Sequence, residues 1–176
     1  MHNLMQVGVA FHIFQQDYGE YPMRQVTKDF DGLGLANEKQ MFLYFRAISN
    51  ELTFPRLVIC PADKKRGAAT NFDADFNSTR VSYFLGLDAD FDNPKHVLAG
   101  DRNIIVQGAE ARNGRLEITP NQVSSSNNST VSWTSEIHKE VGNILFADSH
   151  VEQLTSAKLR DALRESGLAT NRLVLP

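Results

Sequence analysis

Apolar positions in the first eighteen residues fall on one side of a helix. Leu4, Val7, Phe11, Phe14 and Tyr18 follow one another at steps of 3, 4, 3 and 4, and Ala10 widens the stripe. The spacing predicts a helix over 1–18 with those five residues packed inward. Gly8 weakens it by about 1 kcal/mol relative to alanine, so tertiary packing is expected to hold it. Gly19 and Pro22 supply the stop. Residues 23–36 are polar and glycine-containing and read as a loop. Asn37 stands three residues before Gln40, a capping-box spacing. Met41, Phe45, Ile48 and Leu52 continue at helical steps and predict a second helix over 38–51.

The pattern then changes from a period of 3.6 to short apolar runs. Arg56–Cys60, Arg80–Leu87, Asn103–Gln107, Arg115–Thr119 and Thr130–Thr134 are strand-like. Asn113-Gly114 marks a turn between the third and fourth of these, and 124–129 is a polar loop. Gly142–Ala147 and Val151–Leu154 form two further runs joined at Asp148-Ser149, which predicts a tight hairpin. Asp suits the first turn position, whereas Ser149 stands where glycine is usual. If the turn keeps its glycine-type geometry, Ser149 should show a positive φ. Leu159, Ala162 and Leu163 predict a last helix over 156–166, ended by Gly167. Early helices followed by a run of strands, with no internal repeat, make the class α+β.

Composition sets bounds on function. A chain of 176 residues fits one domain with a sizeable core. The net charge of −3, with no Lys/Arg run, argues against nucleic acid as a partner. Cys60 is the only cysteine, which rules out an intrachain disulfide and a multi-cysteine zinc site. It follows apolar residues and precedes a proline, so a buried structural thiol is the expectation. No run of eighteen apolar residues is present.

Candidate chemistry is sparse. There is no Gly-x-Ser-x-Gly elbow, phosphate-binding glycine loop or His-Glu-x-x-His. Asp88, Asp90 and Asp92 occupy positions 1, 3 and 5 of an EF-hand-like loop, but Asn93 and Ala99 stand where glycine and glutamate are needed. Calcium is the candidate ion for these carboxylates, and a solvated acidic loop is the alternative. His138, Asp148 and His150 have the residue types of a transition-metal site, which makes a metal-dependent hydrolase one alternative function. Trp133 and Tyr83 as exposed platforms would suit a carbohydrate- or peptide-binding module.

Several stretches together resemble a bacterial family. His138, nine residues and then Asp148 followed by a small residue resemble the H-X9-DG signature of pilin-like proteins. These are of planctomycete and verrucomicrobial type and are related to type II secretion pseudopilins. Residues 3–22, Cys60-Pro-Ala-Asp63, Ser82-Tyr83, Gly100-Asp-Arg-Asn103 and Gly142–Asp148 also look like family elements. Ser149 departs from the family's glycine, and the family's N-terminal cleavage and methylation segment is missing.

The resemblance implies a single pilin-like domain over 1–176. Residues 1–18 would be the C-terminal half of a long helix packed on an antiparallel sheet, 56–154 mainly β, and 156–166 a C-terminal helix. It implies a non-catalytic subunit of a type II secretion or type IV pilus-like filament. The precursor would be anchored in the inner membrane with the globular part in the periplasm. Its partners would be other pilin-like subunits, met through the N-terminal helix, and the secretion machinery. Major pseudopilins bind calcium in a C-terminal loop, which adds weight to the acidic loop. In the hairpin, His138 is expected to contact the backbone or carboxylate around Asp148, with Gly142, Asp148 and Ser149 completing the structural motif.

Overall fold

The computed structural model describes residues 1–25, 40–123 and 130–176. Asn37 of the expected capping box, most of the 23–36 loop and the polar loop 124–129 lie outside these residues. Helix α1 (His2–Tyr18) buries Leu4, Val7, Ala10, Phe11 and Phe14 as its spacing predicts. Tyr18 is a correction: it is 58% exposed and stacks on the Phe14 ring at 4.4 Å instead of entering the core. It is the last residue of the helix, beyond the buried stripe that ends at Phe14. Gly19 ends the helix in the left-handed conformation (φ 84°), its N–H donating to the Gln15 carbonyl at 2.8 Å. Gly8 lies where the helix packs on the sheet. A Cβ there would lie 2.8 Å from Leu145 Cδ1, so the residue that weakens the helix also lets it dock.

The expected helix over 38–51 is broken at Ile48 into α2 (Phe42–Ala47) and α3 (Ser49–Leu52). Its stripe of Met41, Phe45, Ile48 and Leu52 stays buried through the break. The strand expected at 56–60 is instead a 3₁₀ turn, Pro55–Val58. Proline fixes φ at the first position of that turn. The Asn3 side chain donates to the Arg56 and Ile59 carbonyls at 3.3 and 2.9 Å, tying the turn to α1.

The β part comprises β1 (Tyr83–Gly86), β2 (Val97–Asp101), β3 (Ile104–Val106), β4 (Ala109–Glu110), β5 (Gly114–Ile118), β6 (Val131–Trp133), β7 (Val141–Phe146), β8 (Val151–Thr155) and, after helix α4 (Ser156–Glu165), β9 (Asn171–Leu175). Six strands form one sheet in the order β5-β9-β1-β2-β7-β8, every pair antiparallel. The other three form a small sheet, β4-β3-β6. The two runs flanking Asn113-Gly114 are therefore not partners. β3 pairs with β4 and β6, while β5 pairs with β9.

Period-2 alternation sends neighbouring side chains of the main sheet to opposite faces. Leu85, Ala99, Leu145 and Val174 meet α1 and residues 41–60 on one face. Phe84, Ile144, Phe146, Leu173 and Leu175 meet α4 and β6 on the other. The molecule is thus an N-terminal helix, an antiparallel sheet buried on both faces, and a second layer carrying α4. α4 matches its predicted span, with the Thr155 hydroxyl accepting from the Lys158 N–H and Gly167 turning left-handed after it.

The β7–β8 hairpin has a three-residue connection, Ala147–Ser149, rather than two residues. Ser149 N–H donates to the Phe146 carbonyl and Phe146 N–H to the His150 carbonyl, both at 3.0 Å. This is a turn followed by a left-handed residue. Ser149, with φ 70°, holds the glycine-type place as expected.

Candidate functional site

His138 makes its contacts away from the hairpin turn. Asn103 Nδ2 donates to the Thr134 and Ile137 carbonyls at 3.0 and 3.1 Å and pins the bend before β7. His138, Lys139 and Glu140 then run consecutively left-handed, at φ 56°, 54° and 67°. Each costs on the order of 1 kcal/mol for a residue with a Cβ. The bend turns the imidazole inward, over the start of β7. Gly142 follows because Trp133 lies flat on this strand: a Cβ at 142 would sit 2.6 Å from the indole ring.

Three side chains meet at the ring. Cys60 Sγ lies 3.2 Å from His138 Nε2. Asn143 Nδ2 lies 3.0 Å from the same nitrogen and donates to Asp101 Oδ2 at 2.8 Å. The Asn143 backbone N–H donates to that oxygen too, at 2.6 Å. His138 Nε2 is 3.6 Å from Asp101 Oδ2. Since Nδ2 only donates, this arrangement makes Nε2 an acceptor and places the ring proton on Nδ1. Cys60, Asp101 and Asn143 are buried, while the His138 side chain keeps 23% of its surface in solvent. Asp101 Oδ1 and Asn143 Oδ1 are buried without a hydrogen-bond partner.

Burial dominates the electrostatics of this cluster. It pushes the Asp101 carboxyl up, against the hydrogen bonds from Asn143. Burial, reinforced by the negative charge of Asp101, pushes the Cys60 thiol up to about 11. A thiol held protonated at neutral pH is a poor nucleophile. Cys60 and Asn143 also meet the same ring nitrogen, whereas a nucleophile–base–orienter relay uses both. The cluster does not have the layout of a cysteine hydrolase.

A second group adjoins it. Arg102 grips Asp63 with two bonds, Nε to Oδ2 at 2.8 Å and Nη2 to Oδ1 at 2.9 Å, and also pairs with Glu136. Lys65 Nζ approaches Glu136 from outside at 3.1 Å. Burial alone would raise the Asp63 carboxyl, but the Arg102 hydrogen bonds and charge outweigh it and hold it below the ordinary range. Arg66, lowered to about 10 by burial and by the neighbouring Arg102, donates to the Val81 carbonyl at 2.6 Å.

The other expected sites are not assembled. The five steps of β7 span about 17 Å and keep His138 apart from Asp148 and His150. His138 thus contacts Cys60, Asp101 and Asn143, not the surroundings of Asp148. Asp148 pairs instead with His150, accepting from its backbone N–H at 3.2 Å, and His150 stacks on Phe146. The three-residue metal site of the hydrolase alternative has no common centre.

Asp88 is bound by Arg172, whose Nε donates at 2.7 Å, and Asp90 by Arg24 at 2.8 Å. Asp92 donates its backbone N–H to Asp90 at 3.1 Å. Two of the three candidate calcium ligands therefore face arginines. Among the described residues, Cys60, Asp101 and His138 are the group of His, Cys, Asp or Glu whose ligand atoms gather within 4.8 Å of one another. Trp133 and Tyr83 are both buried, which removes the platforms of the binding-module alternative. Asp101 and Asn143 are the functional candidates that residue types in sequence do not single out, because their partners are about forty residues away.

No helix among the described residues is long and apolar enough to cross a membrane. Compared with protein-family models, with curated proteins and with solved structures, the chain matches none.

Proposed function

We propose that this chain is the globular part of a pilin-like, non-catalytic subunit that assembles through α1 into a periplasmic filament of the type II secretion or type IV pilus kind. The observation that carries the reading is the outer face of α1. Met1, Met5, Val9 and Ile13 recur every fourth residue and are 39–53% exposed, while the opposite stripe is buried on the sheet. A surface helix facing only water carries polar residues there, and a contiguous exposed apolar strip marks a contact face. In this reading that strip packs against the helices of neighbouring subunits, and an upstream apolar extension of α1 forms the membrane anchor.

A second observation supports the family resemblance. The elements that carry it, Cys60–Asp63, Ser82-Tyr83, Gly100–Asn103, His138 and Gly142-Asn143, are scattered through the sequence but neighbours in the fold. Ser82 N–H donates to the Val58 carbonyl and Arg102 N–H to the Ser82 carbonyl, so the backbones themselves are stitched together. The dispersal of His138, Asp148 and His150 favours this reading over a metal-dependent hydrolase built on those three residues.

The test uses the full-length precursor in its native cell. Met5→Cys and Ile13→Cys each place a thiol on the outer strip, and Cys60, being buried, gives little background. Oxidation is expected to yield a ladder of cross-linked subunits in the membrane fraction. The gene is expected to encode about 20 apolar residues upstream of residue 1. A gene without that segment, or a monomer after oxidation, would overturn the reading.

A further inference from the structure

We propose that Cys60, Asp101 and His138 form a binding site for a single zinc-like transition-metal ion, a staple between the Cys60 turn, β2 and the start of β7. The proposal is independent of filament assembly. The donor set is a thiol, a carboxylate and an imidazole, the three side-chain types that zinc accepts. Tetrahedral zinc, with bonds of about 2.0–2.3 Å, spaces neighbouring ligand atoms about 3.3–3.6 Å apart. Sγ and Nε2 are already 3.2 Å apart, Nε2 and Oδ2 3.6 Å, and all three donors lie within 4.8 Å of one another. Little rearrangement is needed to place an ion between them.

Three further features point to an ion at this place. Asp101 is wholly buried, and its Oδ1 has no hydrogen-bond partner. A buried carboxylate oxygen left unpaired is costly, and a cation would relieve it. Nε2 of His138 presents a lone pair to the cluster, as a metal ligand must. Asn143 Oδ1 is also buried and unpartnered, and its amide reaches both Asp101 and His138. Turning that amide over would bring the oxygen into the donor set and close a fourth side. Charge also balances: a divalent ion with one thiolate and one carboxylate is neutral, which suits a buried site. The partly exposed His138 ring gives the ion a way in.

The ion does no chemistry in this proposal; it cross-links segments about forty residues apart in sequence. Its effect is on folding, because metal-binding energy becomes folding energy when the unfolded chain has no site.

The test takes the purified protein, stripped with a chelator and titrated with zinc and then with cobalt. Zinc is expected to bind at one ion per chain and to raise Tm. Cobalt is expected to give a thiolate-to-cobalt charge-transfer band in the near ultraviolet, which no histidine-only surface site produces. Cys60→Ser should abolish the band and weaken zinc at least about tenfold. His150→Ala, on the exposed turn, should change neither. A wild-type protein that shows no such band overturns the proposal without reference to any variant. So does zinc binding that survives Cys60→Ser unchanged or disappears in His150→Ala.

Discussion

Asp63 and Asp101 are two carboxylates with side chains sealed from solvent, in adjoining halves of one polar layer, and their environments drive them in opposite directions. Asp63 is lowered and Asp101 is raised. Burial is the largest influence on both, so burial does not distinguish them. The difference is one arginine. Arg102 follows Asp101 in sequence but reaches across to Asp63, because successive side chains at a strand end leave on opposite sides. Asp63 gets a bidentate cation; Asp101 gets the amide of Asn143, a thiol and an imidazole. One half of the layer is a completed ion-pair structure. The other has buried oxygens left without a partner, and that surplus is what gives it the character of a site.

Breaking the completed half should have the largest effect. Arg102→Ala removes both bonds to Asp63 and leaves that carboxylate buried without its cation. A loss of about 3–5 kcal/mol in urea denaturation is expected. A loss below about 1 kcal/mol would mean that the two halves are not different in kind. Asn143→Ala cuts the unfinished half and should cost less, about 1–3 kcal/mol. Asp101 then keeps the backbone N–H of residue 143 and can take up a proton instead of staying charged. If Asn143→Ala proved more damaging than Arg102→Ala in the same urea series, the ranking of the two halves would be reversed.

Much of the fold is legible in the sequence, for reasons the packing makes plain. α4 is amphipathic, α1 carries an apolar stripe at helical spacing, and both have clear stops, so period and punctuation agree. The β7–β8 hairpin was likewise readable, and Ser149 took the positive φ that its place demands. β2 and β9 were not predicted. Strands buried on both faces lose their alternation, and Val97-Leu-Ala-Gly-Asp101 shows none. The helix over 38–51 and the strand at 56–60 failed at boundaries set by Ile48 and Pro55. The candidate site was legible only in its parts. His138 was singled out, but its partner was sought at Asp148, its neighbour along the hairpin. Its contacts are with Cys60, seventy-eight residues earlier, and with Asp101 and Asn143. Nothing in local pattern encodes such pairings; they follow from strand order.

The finest test of the comparison is a pH profile, taken on chelator-treated protein so that no ion competes. Asp63 has a folded pKa below its unfolded one. Its contribution to stability is therefore present above about pH 4, the unfolded carboxylate range, and is lost as pH falls through the lowered value. Asp101 has a folded pKa above its unfolded one. Its contribution is fully present below about pH 4 and is lost as pH rises through the raised value. Asp101→Asn mimics the protonated form and offers an oxygen to the same Asn143 donors. The variant should lie within about 1 kcal/mol of wild type near pH 4. It should then gain on wild type as pH rises, and at pH 8 it should be at least as stable. Asp63→Asn should do the opposite, falling further behind wild type as pH rises through the lowered Asp63 value, because Arg102 loses a charge it holds only when Asp63 is ionised. Urea midpoints of the three proteins, taken from below about pH 4 up to about pH 8, measure both slopes. If Asp101→Asn instead fell behind with rising pH, Asp101 would be a partnered carboxylate like Asp63.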